Sequence, residues 1–156
     1  MAEPAPFFTL ADAWQLNNRV SLLLLDRLTG EQLAYAANPR ARTIGDQFAH
    51  LHAVRLNWLE AGGRATAGMK KPEKGTAGRQ ALREALEASG NAVAEWIAEA
   101  ESTGRMKGFK RGPAAFLGYL AAHEGHHRGQ MLLHLKQAKM AAPPEVAFGI
   151  WEWGKI

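Results

Sequence analysis

Ala122-His123-Glu124-Gly125-His126-His127-Arg128-Gly129-Gln130 lies in the last long stretch of helical pattern, and its reading decides the fold. At about 100° per residue, Phe116, Leu120, His123, His127, Gln130 and His134 follow in steps of three and four. They stay within roughly 40° of one line. The stripe is apolar at its start and bears imidazoles and an amide further on. A face patterned for burial against other helices therefore carries three histidines and a glutamine.

Working outward, Pro113 suits the first turn of this helix, where its missing N–H costs nothing, and the pattern runs to about Gln137 or Lys139. Upstream, a third helix is predicted from about Ala77, capped by Thr76, to Thr103, with Leu82, Leu86, Val93 and Ile97 inward and Gly90 as a kink or break. A second runs from about Ile44, behind Thr43 and Asp46, to Ala61, with an apolar seam of Ile44, Phe48, Leu51, Val54 and Trp58. A first runs from about Leu10 to Leu28 behind a Thr9/Asp12 capping pair, with Asn17, Asn18 and Arg19 as polar interruptions. Thr29-Gly30 ends it, and Gln32–Ala37 adds a further turn or two before the Asn38-Pro39 break. Residues 62–76, glycine- and lysine-rich, read as a mobile connection. Pro143-Pro144 ends the helical part. Trp151 and Trp153 in the tail are expected to fold back on the helices or to meet a second subunit. Strand-like alternation is nearly absent. The expectation is all-α: one domain over residues 1–156, an antiparallel four-helix bundle whose longer connections permit a non-sequential order.

A chain of 156 residues is long enough to close one core, and 47% hydrophobic with 22% charged residues is ordinary for a globular protein. There is no cysteine, which excludes disulfides, thiolate metal sites and cysteine nucleophiles. Thiol chemistry would need a thiol from a cosubstrate. Met1–Pro6 lacks the basic and apolar regions of a secretory signal, and the run Leu22–Leu25 is far short of a membrane span, so a cytoplasmic location without membrane association is expected. The net charge is +4, but the dense basic clusters at Lys70–Lys74 and Arg105–Arg111 fall in predicted loops; they read as solvated loops, with no nucleic-acid partner.

His123 and His127, four apart, share a helix face and can reach one metal ion. A third imidazole from another helix would give a three-histidine site with open positions, the arrangement of catalytic rather than structural metals. His50 and His52 of the second helix are the available donors, on opposite shoulders of its seam, and periodicity does not choose between them. His134 lies about 10 Å along the axis from His127, too far for the same ion. His126 is turned roughly 100° from His127, toward solvent or a neighbour. Gln130 is a candidate to orient a ligand or substrate. The plainer alternative is that these histidines are hydrogen-bonded core or surface residues. His123-Glu124-Gly125-His126-His127 also satisfies the H-E-x-x-H pattern of zinc peptidases literally. Without a flanking strand or a third ligand at the required spacing, a peptidase is disfavoured.

Thr43-Ile44-Gly45-Asp46-Gln47-Phe48-Ala49-His50-Leu51, the His123-x-x-x-His127-Arg128-Gly129-Gln130 helix and the terminal Gly149-Ile150-Trp151-Glu152-Trp153 together resemble the DinB-like family of damage-inducible and related proteins. The resemblance spans nearly the whole chain. It implies a four-helix bundle, often a homodimer, with a divalent metal ion held by three histidines. Matched position by position, these fall on His50, His123 and His127. Some relatives are transferases or isomerases using a low-molecular-weight thiol such as mycothiol, bacillithiol or glutathione, and others have no established activity.

The function expected from sequence is thus a metal-binding protein, with zinc or nickel foremost, acting as a thiol-dependent transferase on a small-molecule substrate. A non-enzymatic stress or interaction protein with a histidine-lined interior and a metal-dependent hydrolase are the alternatives. Arg19 and Arg128 are candidates for a carboxylate on the thiol cosubstrate, a solvated surface cation being the plainer reading of each. No catalytic residue is assigned.

Overall fold

A computed structural model of the chain describes residues 8–156; the Met1–Pro6 opening lies outside them. Six α-helices follow in order: α1 (Leu10–Arg27), α2 (Gly30–Ala34), α3 (Ile44–Ala61), α4 (Arg79–Thr103), α5 (Gly112–Gln137) and α6 (Pro144–Gly149), with a 3-10 turn at Trp153–Lys155. The first, second, third and fourth helices expected from sequence are α1, α3, α4 and α5.

Local chemistry sets most of these limits. Thr9 Oγ1 accepts from the Asp12 N–H at 3.0 Å while Asp12 Oδ2 accepts from the Thr9 N–H at 2.9 Å, a reciprocal cap that opens α1. The Thr9 N–H, and the Thr9 hydroxyl that donates to the same Oδ2 at 2.8 Å, hold the Asp12 carboxyl below its usual range. Thr29 does not merely end the preceding stretch. It caps α2, paired reciprocally with Gln32. Thr76 caps nothing: α4 starts at Arg79 behind Gly78, which makes no side-chain cap. Pro144 opens α6 rather than ending the helical part, because proline suits a first turn.

α4 packs against both α1 and α3, and α5 closes the bundle against α1 and α3. The apolar core forms two clusters at different heights. One holds Leu24, Leu25, Phe48, Leu51, Leu82, Leu86, Met131 and Leu135; the other holds Trp14, Leu56, Leu59, Val93, Ile97, Phe116 and Leu120. The order in which each helix enters the clusters gives its direction. α1 and α5 run from the Trp14 cluster to the Leu24 cluster, and α3 and α4 run the other way. Consecutive α3 and α4 are therefore parallel, which requires the long crossover of residues 62–78. This non-sequential arrangement is one the connection lengths permitted. The crossover is tied down where Asp46 Oδ1 accepts from the Gly75 N–H at 2.7 Å.

Between the two clusters every long helix contributes buried polar residues: Asn17, Asn18 and Ser21 from α1, Arg55 from α3, Ser89 from α4 and Glu124 from α5. Gly90 belongs to this level, and α4 passes through it unbroken. The glycine exists for close approach: a Cβ there would lie 2.3 Å from Asn18 Nδ2, and the Trp14 indole N–H donates to its carbonyl at 2.8 Å. The tail folds back through Val146 and Ile150, which are buried. The tryptophans are not what anchors it, since Trp151 is 72% and Trp153 50% exposed.

Candidate metal centre

α3 and α5 meet beside the polar level, and there three imidazoles converge. His50 comes from α3, and His123 and His127 come from successive turns of α5. One nitrogen of each lies within 4.8 Å of the others. The ring centroids are 5.4 Å (His50–His123), 4.8 Å (His50–His127) and 4.7 Å (His123–His127) apart, each pair edge to face. His52, the competing donor, is fully buried on another face of α3, beside the backbone of Ala85 and Lys70, with neither ring nitrogen in a hydrogen bond of ordinary geometry. Burial, then Arg55, holds it below its ordinary pKa.

The electrostatics keep the three rings neutral. Burial lowers His50, aided by Arg42 and His123. Burial also lowers His123, against an upward pull from Glu124. His127 falls to about 4, through burial first and then the mutual repulsion of His123 and His50. A neutral imidazole is the form that binds a metal. His127 Nδ1 lies 3.4 Å from Gln47 Oε1, so the Nδ1–H tautomer would leave Nε2 for a ligand bond. His123 Nδ1 is buried with no hydrogen-bond partner. With metal–nitrogen bonds of about 2.0–2.1 Å, tetrahedral ligand atoms lie about 3.4 Å apart, so nitrogens within 4.8 Å of one another need draw together by at most about 1.4 Å. Donor type, protonation state and convergence all fit a divalent cation.

Beyond the histidines the site opens along an aromatic wall. Tyr119 stacks on His123 at 6.4 Å and 13°, and Trp58 meets Tyr119 edge to face at 5.5 Å. Trp58, placed in the seam by periodicity, is half-buried in this wall. Arg42, exposed on the loop before α3, is the cation whose field reaches both His50 and His127.

Other sequence candidates lie elsewhere. Gln130 is half-buried and makes no side-chain hydrogen bond among the described residues; Gln47, unremarked in the sequence, takes the contact with His127. His126 is exposed, and half-buried His134 stands outside the trio, its Nδ1 without a partner. Arg19 is exposed on α1 beside Asp12. Arg128 is not a solvated surface cation. Its side chain is 11% exposed, and it donates to Ser21 Oγ at 2.8 Å and Asn17 Oδ1 at 2.9 Å, away from the histidines.

Glu124 faces neither the imidazoles nor solvent. It is held by Arg55 through Nε–Oε1 at 2.7 Å and Nη2–Oε2 at 3.1 Å, and Asn17 Nδ2 donates to it at 2.8 Å. Arg55 further donates to the Asn18 side chain and the Leu86 carbonyl, with its guanidinium 4.9 Å over the Trp14 ring. A carboxylate so committed cannot serve as a peptidase general base, so the H-E-x-x-H match is coincidental. The sequence signal for this network is Asn17-Asn18 between Trp14, Leu16 and Val20 of α1: two amides among apolar core positions need partners.

A bundle of four long helices with an all-imidazole cluster between two of them defines the class: a helical-bundle protein whose histidines are grouped as metal ligands are. The chain belongs to the DinB family, whose model matches residues 1–147. The crystal structure of a DinB-like protein from Bacillus cereus ATCC 10987 is similar in fold, with a TM-score of 0.66 at 21% identity, over 86% of this chain and 93% of that one. No functionally curated protein matches the chain. Among the described residues no helix is long and apolar enough to cross a membrane.

Proposed function

We propose that the protein binds a divalent metal ion, zinc or nickel foremost, through His50, His123 and His127, and acts as a metal-dependent transferase that uses a low-molecular-weight thiol. The convergence of three neutral imidazoles from two helices carries this reading. A bound divalent ion would supply a Lewis acid that lowers the pKa of a coordinated thiol.

The chain's own residues account for the rest. With no cysteine anywhere, the attacking sulfur belongs to the cosubstrate. Gln47 Oε1 stands 3.4 Å from His127 Nδ1, where it would accept from the Nδ1–H tautomer and orient the ring. Tyr119 and Trp58 give an apolar, aromatic flank for the electrophilic substrate. Arg42 is placed to attract a carboxylate of the thiol, the role for which Arg19 and Arg128 are wrongly positioned. Glu124 takes no part in proton transfer.

The test begins with metal content of the untagged protein by inductively coupled plasma mass spectrometry, beside His50→Ala and His127→Ala. About one divalent ion per chain, lost in both variants, supports the site. A panel of thiols with an electrophilic substrate then tests transfer. Thiol-independent turnover would replace this reading with a hydrolase. Metal absent after chelator-free purification and not taken up on reconstitution would sink it in favour of a non-enzymatic role.

A further inference from the structure

On the side of α5 away from the three histidines, a cavity of about 110 Å³ lies between the helix, α1 and the C-terminal tail. Its floor is Gly125 and Gly129, one turn apart on α5. No atom lies within 4 Å of where a Gly129 Cβ would stand, and at Gly125 the nearest is Arg128 Nη2 at 3.9 Å. The absence of two side chains thus opens a path to the guanidinium. Val20, Leu132 and Ile150 form apolar walls. The exposed rings of Trp151 and Trp153 form the rim, and no carboxylate lines the cavity.

Arg128 has reason to want an anion there. The buried network holds two guanidinium groups, Arg55 and Arg128, against one carboxylate, Glu124, which leaves one positive charge uncompensated. Glu124 is engaged by both of its oxygens with Arg55 and lies 3.6 Å from Arg128. Of its five N–H donors, Arg128 uses one on Ser21 and one on Asn17, both neutral partners. A mostly buried cation without a full counter-charge is costly, and a bound carboxylate removes that cost.

We propose that this cavity is a binding site for a small aromatic carboxylate, with its carboxylate on Arg128 and its ring between the tryptophans and the Val20–Leu132–Ile150 wall. The volume is close to the roughly 150 Å³ of an apolar cavity known to take benzene, and one side here is open to solvent. The site is independent of the histidine cluster and of the reaction proposed for it.

Benzoate, with benzamide as its neutral counterpart, is titrated into the full-length protein while the indole N–H resonances of Trp151 and Trp153 are followed by ¹H–¹⁵N NMR. Saturable shifts of both indoles with benzoate, and at least about tenfold weaker binding of benzamide, are expected, as for loss of a charge-assisted hydrogen bond. Arg128→Gln should weaken benzoate to the level of benzamide. Gly129→Leu, which fills open space and leaves the Arg128 network intact, should abolish the shifts while circular dichroism stays unchanged. Equal binding of benzamide, no shift with benzoate, or shifts indifferent to Gly129→Leu would overturn the proposal. Indole shifts that depend on protein concentration and are unaffected by benzoate would also overturn it, placing a second copy over the cavity.

Discussion

Glu124 and His123 are consecutive residues on α5, and the turn of about 100° between them sends one side chain into the polar level of the core and the other to the α3 boundary. Their substitutions should therefore separate cleanly. Glu124→Ala leaves Arg55 and Arg128 buried without a counter-charge. It should lower stability to urea by about 3–5 kcal/mol, the usual cost of breaking a buried pair from one side. His123→Ala should abolish metal retention while leaving the urea midpoint of the metal-free protein nearly unchanged. His127 adds a pH dependence whose sign follows from its depressed pKa. Unfolded, it takes a proton near 6.5; folded, it resists until about 4. Between those values the unfolded chain binds more protons, so metal-free protein loses stability as pH falls from 6.5 to 4; above that window the group costs nothing, and below it the loss is complete and adds no further slope. Thermal midpoints of metal-free wild type and His127→Ala across that window check this, the variant showing the shallower slope.

At the scale of the element, glycine has opposite meanings in α4 and α5. Gly90→Ala would gain up to about 1 kcal/mol of helix propensity but must displace Asn18 from its bond with Arg55, so a net loss of about 1–3 kcal/mol is expected. Gly118→Ala, on α5 with open space at its Cβ, should stabilise by about 0.5–1 kcal/mol. Paired denaturation curves of the two variants decide the matter. Sequence alone could not distinguish these glycines, because helical period tells which positions share a face and not what stands across from them. The limits of α1, α3 and α5 were legible for the converse reason: Thr9, Thr43 and Pro113 act within one turn of chain. Thr76 failed as a cap since Thr and Asp residues also serve loops; there Asp46 reaches across from α3 to hold Gly75.

For the whole molecule, α5 joins the two clusters and presents the histidines, and the stripe drawn from Phe116 to His134 was right at Phe116, Leu120 and His127 and one position off at His123, Gln130 and His134. The buried line runs through Glu124, Met131 and Leu135, while His123, Gln130 and His134 are half-buried at its edge. The choice of His50 over His52 rested on family resemblance, and the packed helices place His50 with the other two. Nothing local distinguishes two residues on opposite shoulders of one seam. Since the cluster bridges α3 and α5, added metal should raise the thermal midpoint of the whole bundle, by an amount growing with the logarithm of free metal above its Kd. Chelator should reverse the rise, and His50→Ala should remove it.

Asn17, Ser21, Arg55, Glu124 and Arg128 each hold a proton or a lone pair that another of the five needs. A lineage that changes by single substitutions meets a stability barrier at every one of these positions, and compensation requires at least two changes together. Tyr119 and Arg42, standing at the open side of the histidine cluster, carry no such mutual debt and are free to vary singly. Descendants of this chain can therefore change what borders the histidine cluster while inheriting the same alignment of α3 against α5.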